Sequence, residues 1–364
     1  MNQSDRQRVL HIARSLVKRL QLNLDGLRVV TECASGSYAL TPVMALMAGA
    51  KVYSIGRDTR YGKFSDLSEQ VGLLCSEAGL QTQPEFSEKE NFTGWPDADI
   101  VLNSGMIRPI TADVINRMKS TAVIPLMWET WEFRPGEIDL SACRKKNIPV
   151  IGTNENYPLA DMYKYPGMLA IRLMFDLKID VANNRIALLG GALTGRLIAD
   201  TFRKLGLEYA WFTSGGKEND PDCFSYEQMP AKLKTFEPDV ILFAEHHDRR
   251  QLFGKEAELG FEKLAQDFPD VRIGHICGNI DADDLQKSGL VFAPEIIAPF
   301  GYMSYLPEVL GPKPGMVLSI AGLKVGEIAA RARLSGASAE EAIRATVQHG
   351  VGQDFEGGFF NLTI

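Results

Sequence analysis

Cysteine is scarce and scattered. The five residues (Cys33, Cys75, Cys143, Cys223 and Cys277) contain no C-x-x-C pair. An odd, dispersed set excludes a disulfide framework and a thiolate zinc site, and is expected of reduced thiols in the cytoplasm. Five histidines include the adjacent pair His246 and His247 but no H-E-x-x-H spacing, so no metal is expected. No apolar run approaches the ~20 residues of a membrane span. Met1 to Leu20 has helical periodicity but carries charge throughout, unlike a secretory signal. No run of lysine and arginine offsets a net charge of -7, so a nucleic-acid surface is excluded.

What is present is globular: 45% hydrophobic and 23% charged residues, over 364 positions, enough for two domains with a core each. Short β-rich runs alternate with helical stretches. Strands are predicted at Leu27 to Thr31, Lys51 to Ile55, Asp99 to Leu102, Ala122 to Met127 and Ile148 to Ile151. Helices are predicted at Leu40 to Ala48, Ser65 to Ala78, Thr111 to Met118 and Asp139 to Lys146. Such alternation implies right-handed crossovers and a parallel, flavodoxin-like sheet. A helix from Leu159 to Leu177 then leads into a second β-α series: Arg185 to Leu189, Thr194 to Lys204, Tyr209 to Phe212, Val240 to Ala244 and Val271 to Ile276. A final helix, Gly322 to Leu334, is expected to return to the first domain, followed by a glycine-rich tail read as a loop or flexible end. The expected fold is thus α/β, with two Rossmann/flavodoxin-like domains of parallel sheets and an interdomain cleft. Residues 1–158, completed by 315–364, form the substrate domain; residues 159–314 form the dinucleotide-binding domain with its linking helix.

The sharpest motif is Gly190-Gly191-Ala192-Leu193-Thr194-Gly195, after a predicted strand and opening a predicted helix. Gly190 suits the tight turn and Gly195 close helix–sheet packing, while the amides of the helix start suit a pyrophosphate. Ala192 stands where the usual pattern has its middle glycine. Alone, the segment fits a plain strand-to-helix turn equally well. The next strand tips the balance, because Thr213 falls where a dinucleotide site places its ribose-binding residue. A hydroxyl there, with Ser214 and Lys217, suits a 2′-phosphate better than an acid would, so NADP is preferred over NAD.

Beyond this point the chain resembles the formate/glycerate dehydrogenase group, the D-2-hydroxyacid dehydrogenases and their relatives. The likeness runs from about Asp97 to Pro299. It is carried by Asp97-Ala-Asp-Ile-Val-Leu-Asn-Ser104 with Ile110 to Ile115, by Ile138 to Cys143 with Asn147 to Val150, by the Gly190 turn, and by Cys277-Gly-Asn-Ile-Asp281 with Asp284 and Leu285. The resemblance implies two domains, a nicotinamide cofactor and a hydride-transfer reaction. The family's catalytic residues are not matched: Cys277 stands at the arginine, a shortened Gly289 to Pro294 at the glutamate, and Phe300 at the histidine. The loop that would hold a substrate carboxylate is replaced by Trp128-Glu-Thr-Trp-Glu132, whose Glu129 and Glu132 suit a cationic or hydroxyl-bearing group. A fainter likeness, in Thr41 to Ala50 leading into Lys51, is to S-adenosylhomocysteine hydrolases and alanine dehydrogenases.

Candidate chemistry follows the strand ends. Glu245 and His246, with His247, close a predicted strand and are read as the proton-transfer pair, or else as a solvated polar loop. Lys164 opens the linking helix and is a proton donor or an exposed lysine. Ser35, Ser37 and Tyr38 follow the first strand and are read as substrate-orienting, or as helix capping; Arg57 is read as binding an acidic group. Gly322 to Glu327 is read as a packed helix. The expected protein is an NAD(P)-dependent oxidoreductase of a small polar metabolite, homodimeric, with neither nucleic acid nor membrane as partner. The rivals are a hydrolase or lyase that uses tightly bound NAD transiently, and a non-catalytic nucleotide-binding protein.

Overall fold

The amphipathic N-terminal segment forms helix α1 (Gln3–Arg19), which starts where the Asn2 side chain accepts the Asp5 amide at 2.8 Å and carries Lys18 and Arg19 in its last turn. Asn2 supplies a partner for an otherwise orphaned donor, and the terminal charges complement the helix dipole. The computed structural model describes residues 2–60, 62–215 and 220–362. Its contacts divide the chain into two units, one of Met1–Met162 with Pro312–Ile364 and one of Tyr163–Gly311.

In the first unit the order continues β1 (Arg28–Glu32), α2 (Leu40–Met47), β2 (Lys51–Gly56), α3 (Phe64–Glu77), β3 (Glu85–Glu88), β4 (Ile100–Val101), α4 (Ala112–Arg117), β5 (Ile124–Pro125), α5 (Leu140–Lys145) and β6 (Val150–Thr153). Four strands pair as β3-β2-β1-β4. A parallel bridge between Ile100 and Val123 leads on to β5, which pairs in parallel with β6. With the edge strand β3 set aside, the order β2-β1-β4-β5-β6 is that of a flavodoxin-like sheet. Its direction of growth reverses between β1 and β4.

The second unit contains α6 (Tyr165–Asp176), β7 (Arg185–Gly190), α7 (Thr194–Leu205), β8 (Glu208–Thr213), β9 (Cys223–Ser225), α8 (Met229–Phe236), β10 (Val240–Ala244), α9 (Phe261–Asp267), β11 (Arg272–Cys277), α10 (Ala282–Ser288) and β12 (Val291–Ala293). Its six parallel strands run β12-β11-β10-β7-β8-β9. Counted within the unit this is the 3-2-1-4-5-6 order of a Rossmann sheet, with its reversal between β7 and β10. Ile186 and Leu188 enter one core layer with Phe202 and Trp211, while Ala187 and Leu189 enter the other with Phe212 and Phe243. Burial on both faces explains why these strands read as unbroken apolar runs.

The chain then completes the first unit with α11 (Lys313–Leu334), α12 (Ala339–His349) and β13 (Gly352–Gln353). Three sequence expectations need correction here. Helix α11 begins nine residues before Gly322, because Pro314 occupies its first turn, where proline is tolerated, rather than ending the pattern. The linking helix begins at Tyr165 and not Leu159, since the chain turns at Asp161 with φ 52° and passes through a short turn at Met162–Lys164. The tail is built rather than loose. Ser338 and Glu341 form a capping box that starts α12, and β13 pairs antiparallel with β6 through Gly352 and Thr153. A Cβ on Gly352 would overlap the Thr346 hydroxyl, so that glycine serves close packing. No described helix is long and apolar enough to cross a membrane.

Candidate functional site

The second unit's sheet brings the ends of β7 and β10 together at its reversal. Gly190 is the last residue of β7, and the chain turns at once into α7. A Cβ on Gly190 would lie 2.8 Å from the Gly195 Cα, and one on Gly195 would lie 2.7 Å from the Gly190 carbonyl oxygen while overlapping the Trp211 indole nitrogen. Both glycines are therefore required by backbone approach, not by φ. The Trp211 Nε1–H donates to that Gly190 oxygen at 2.9 Å, and the Gly195 amide bonds the Gly191 carbonyl at 2.8 Å. Helix α7 starts after Leu193, which supplies no side-chain cap. Of its first-turn amides, that of Gly195 is taken by the Gly191 carbonyl, and the N-cap offers no side-chain acceptor to the others. Ala192 is exposed, and Leu193 and Thr194 are half-buried.

Glu245 lies beneath this turn. It is 1% exposed, and its Oε1 sits 2.7 Å from where a Gly191 Cβ would be. The carboxylate accepts the Tyr226 hydroxyl at 2.5 Å and the amides of His247 and Asp248 at 2.8 and 3.1 Å. Burial and the neighbouring Glu245 push the Tyr226 phenol far above its ordinary range, so it stays the donor. Tyr226 was not singled out from the sequence; it lies after β9, 19 residues from Glu245, and no local spacing connects them. His246 is half-buried and His247 exposed. Arg250 binds Asp248 at 2.7 Å and lies over the Tyr226 ring at 5.2 Å, closing the network. Thr213 ends β8 and is 1% exposed, and its Oγ1 has no hydrogen-bond partner among the described residues. Ser214 beside it is exposed. Lys217 lies outside the described residues, and Lys164 is exposed at the start of the unit. His275, in β11, is a buried neutral imidazole held by Ser304 at 2.8 Å; desolvation lowers its pKa to about 4.

In the first unit, Glu32 ends β1 and is buried. Desolvation raises it to about 7, against the Met106 amide, the Arg108 charge and the Ser104 hydroxyl, which favour ionisation. Ser35 precedes a single 3-10 turn (Gly36–Ala39) without capping it. Ser37 in that turn is buried with its hydroxyl unpartnered among the described residues, and Tyr38 is half-buried. Arg57 is half-buried and donates to the Arg108 carbonyl at 3.5 Å. Glu129 is buried and accepts the Trp131 indole at 2.7 Å. Glu132 is raised to about 7 by burial and by Glu129, and Glu155 well above its usual range by burial and by Glu132 and Glu129. Glu155 was missed in the sequence because β6 ends further along the chain, beyond any local spacing to Glu129. Among the described residues no group of three or more His, Cys, Asp or Glu is arranged to hold a metal.

No family model and no curated protein matches the sequence. Solved structures do match in fold. A dipicolinate synthase from Bacillus subtilis aligns over 84% of this chain and 97% of its own, at 12% identity and a TM-score of 0.54. The dipicolinate synthase from Bacillus halodurans aligns over 84% and 99%, at 13% identity and 0.54. The NADPH-dependent glyoxylate/hydroxypyruvate reductase from Sinorhizobium meliloti aligns over 86% and 96%, at 13% identity and 0.50. At these identities the likeness is one of fold, and it is the fold that the resemblance in the sequence implied.

Proposed function

We propose that the chain is an NAD(P)-dependent oxidoreductase that moves hydride at a hydroxyl/carbonyl or amine/imine carbon of a small polar metabolite. The observation that carries this reading is the closure of Gly190 on Gly195, which leaves the uncapped start of α7 facing outward at the sheet's reversal. That cradle fits a pyrophosphate: bare backbone, aligned amides and the positive end of a helix dipole. Residues 190–195 would hold it, and a bound nicotinamide would supply the hydride. One structural neighbour is itself named as an NADPH-dependent reductase, which accords with the cofactor class.

NADP is preferred over NAD in this reading, because Thr213 ends β8 in place of an acid and Ser214 and Lys217 follow. Glu245 is a positioning residue: both its oxygens are committed to Tyr226 and to the loop amides, so it fixes the loop that carries His246. His246 is then the proton carrier, with Lys164 as its alternative; Ser35, Ser37, Tyr38, Arg57 and Glu129 line the substrate side. The cytoplasmic location and the homodimer expected from the sequence belong to the same proposal.

A fluorescence titration tests it. The chain should bind NADPH more tightly than NADH, and Gly195→Val should abolish both while the first unit's thermal transition is unchanged. Unaltered NADPH affinity in that variant would remove the site, and tighter NADH binding would remove the Thr213 argument.

A further inference from the structure

The carboxyl edge of the first unit's sheet carries polar groups that the fold leaves unpaired. Open α/β sheets bind ligands outside their strand ends where the strand order reverses, here between β1 and β4. Continuing the β1–β4 register beyond Val30 and Val101 sets Asn103 beside Glu32, with both side chains on one face. Asn103 is completely buried, yet neither its Oδ1 nor its Nδ2 has a hydrogen-bond partner among the described residues. The Ser37 hydroxyl, just after β1, is likewise buried and unpartnered among them. Buried polar groups are nearly always paired, so a carboxamide orphaned at both atoms on a sheet's ligand-binding edge asks for a partner from outside.

The crowded carboxyl groups there select the partner's sign, because a bound cation lets them ionise together. Glu129, Glu132 and Glu155 crowd together after β5 and β6: Glu155 shares a hydrogen bond with Glu132, and both feel the Glu129 charge. Arg108 binds Glu137 and stacks over the Trp128 ring at 4.8 Å, Arg134 reaches the same Glu137 at 3.6 Å, and Arg57 donates to the Arg108 carbonyl, so Glu32, Glu129, Glu132, Glu137 and Glu155 outnumber the three arginines. We propose that this edge binds a small hydroxylated amine, its ammonium drawn by Glu32 and the Glu129 group and its hydroxyls exchanging hydrogen bonds with the Asn103 amide and Ser37. This supplies a substrate class for the oxidoreductase proposed above and rests on that reading for the word substrate, although binding itself is measurable without cofactor.

The test uses the full chain and 2-amino-1,3-propanediol as probe, with glycerate and glycerol as controls, by calorimetry. The amine should bind at least tenfold more tightly than glycerate. Asn103→Leu, which keeps the branched heavy-atom framework, should weaken it tenfold or more and at the same time raise the Tm of the ligand-free protein, because an unpaired buried amide gives way to an apolar group. Ser37→Ala should weaken the probe without lowering the Tm. Absence of probe binding, glycerate binding as tightly, or a lowered Tm in Asn103→Leu would overturn the proposal. NADPH titration of the same samples separates the two readings: wild-type protein that binds the amine but no NADPH refutes the cofactor site alone.

Discussion

The buried carboxylates show how far one side chain's surroundings decide its chemistry. Glu32 ends β1 and Glu245 directly follows β10, and both are almost fully covered. Glu245 has a phenol and two amides to hold its charge, so removing one donor leaves a buried acceptor short. Tyr226→Phe should therefore destabilise the second unit by about 1–3 kcal/mol, read as a fall in its denaturant midpoint. His246→Ala should leave that midpoint in place and lower turnover by ~10²–10⁴-fold, the usual contribution of a general acid or base. An unchanged rate in that variant would move the proton transfer to Lys164. From the sequence, Glu245 and His246 were legible as a polar strand end. That Glu245 is anchored through a phenol depended on Tyr226, which the sheet order brings in from another strand.

At the scale of elements, the close approaches are made by glycine and the starts by caps. Helix α11 is buried on nearly every side, and a Cβ on its Gly326 would lie 2.7 Å from Ile100 Cγ2 in β4 and 3.3 Å from Pro125 in β5. Gly326→Val should destabilise the first unit by about 1–3 kcal/mol through overpacking, visible as a lowered first transition with NADPH binding retained. Helix α12 depends on its capping box. Ser338→Ala should cost ~0.5–2 kcal/mol and show first as faster amide exchange in α12 and β13. Strand–helix alternation through the middle of the chain was readable because buried parallel strands are apolar runs of limited length. The tail was not, because Gly350 and Gly352 read as flexibility when they in fact end a helix in a left-handed cap and admit a strand against Thr346.

For the whole molecule the two units should respond to pH in opposite directions. In the first, burial raises Glu32 and Glu132 from a reference near 4.5 to about 7. The native state then binds more protons than the unfolded chain, so stability is fullest below about 4.5 and is lost as pH rises to about 7. In the second, His275 is lowered from 6.5 to about 4. Its contribution is complete above 6.5 and is lost as pH falls toward 4. Calorimetric scans from about pH 4 to 8 should show the two transitions drawing apart or crossing. Glu32→Gln should flatten the first unit's dependence by on the order of 3–4 kcal/mol, at about 1.4 kcal/mol per pKa unit. Parallel shifts of both transitions would refute the assignment.

What the sequence by itself determined was the local grammar: the glycine turn before α7, the apolar runs of β7, β8 and β10, and the absence of motifs for metal, membrane or nucleic acid. These are set by spacing within a dozen residues, where periodicity and turn chemistry act. Tertiary structure alone decided which strand ends meet. It set Glu245 under Gly191 with Tyr226 as donor, Asn103 beside Glu32, and Glu155 against Glu132. Those partners lie tens of residues apart, and their neighbourhood is fixed by the order in which parallel strands add to a sheet, which burial of the whole apolar set determines and no single segment encodes.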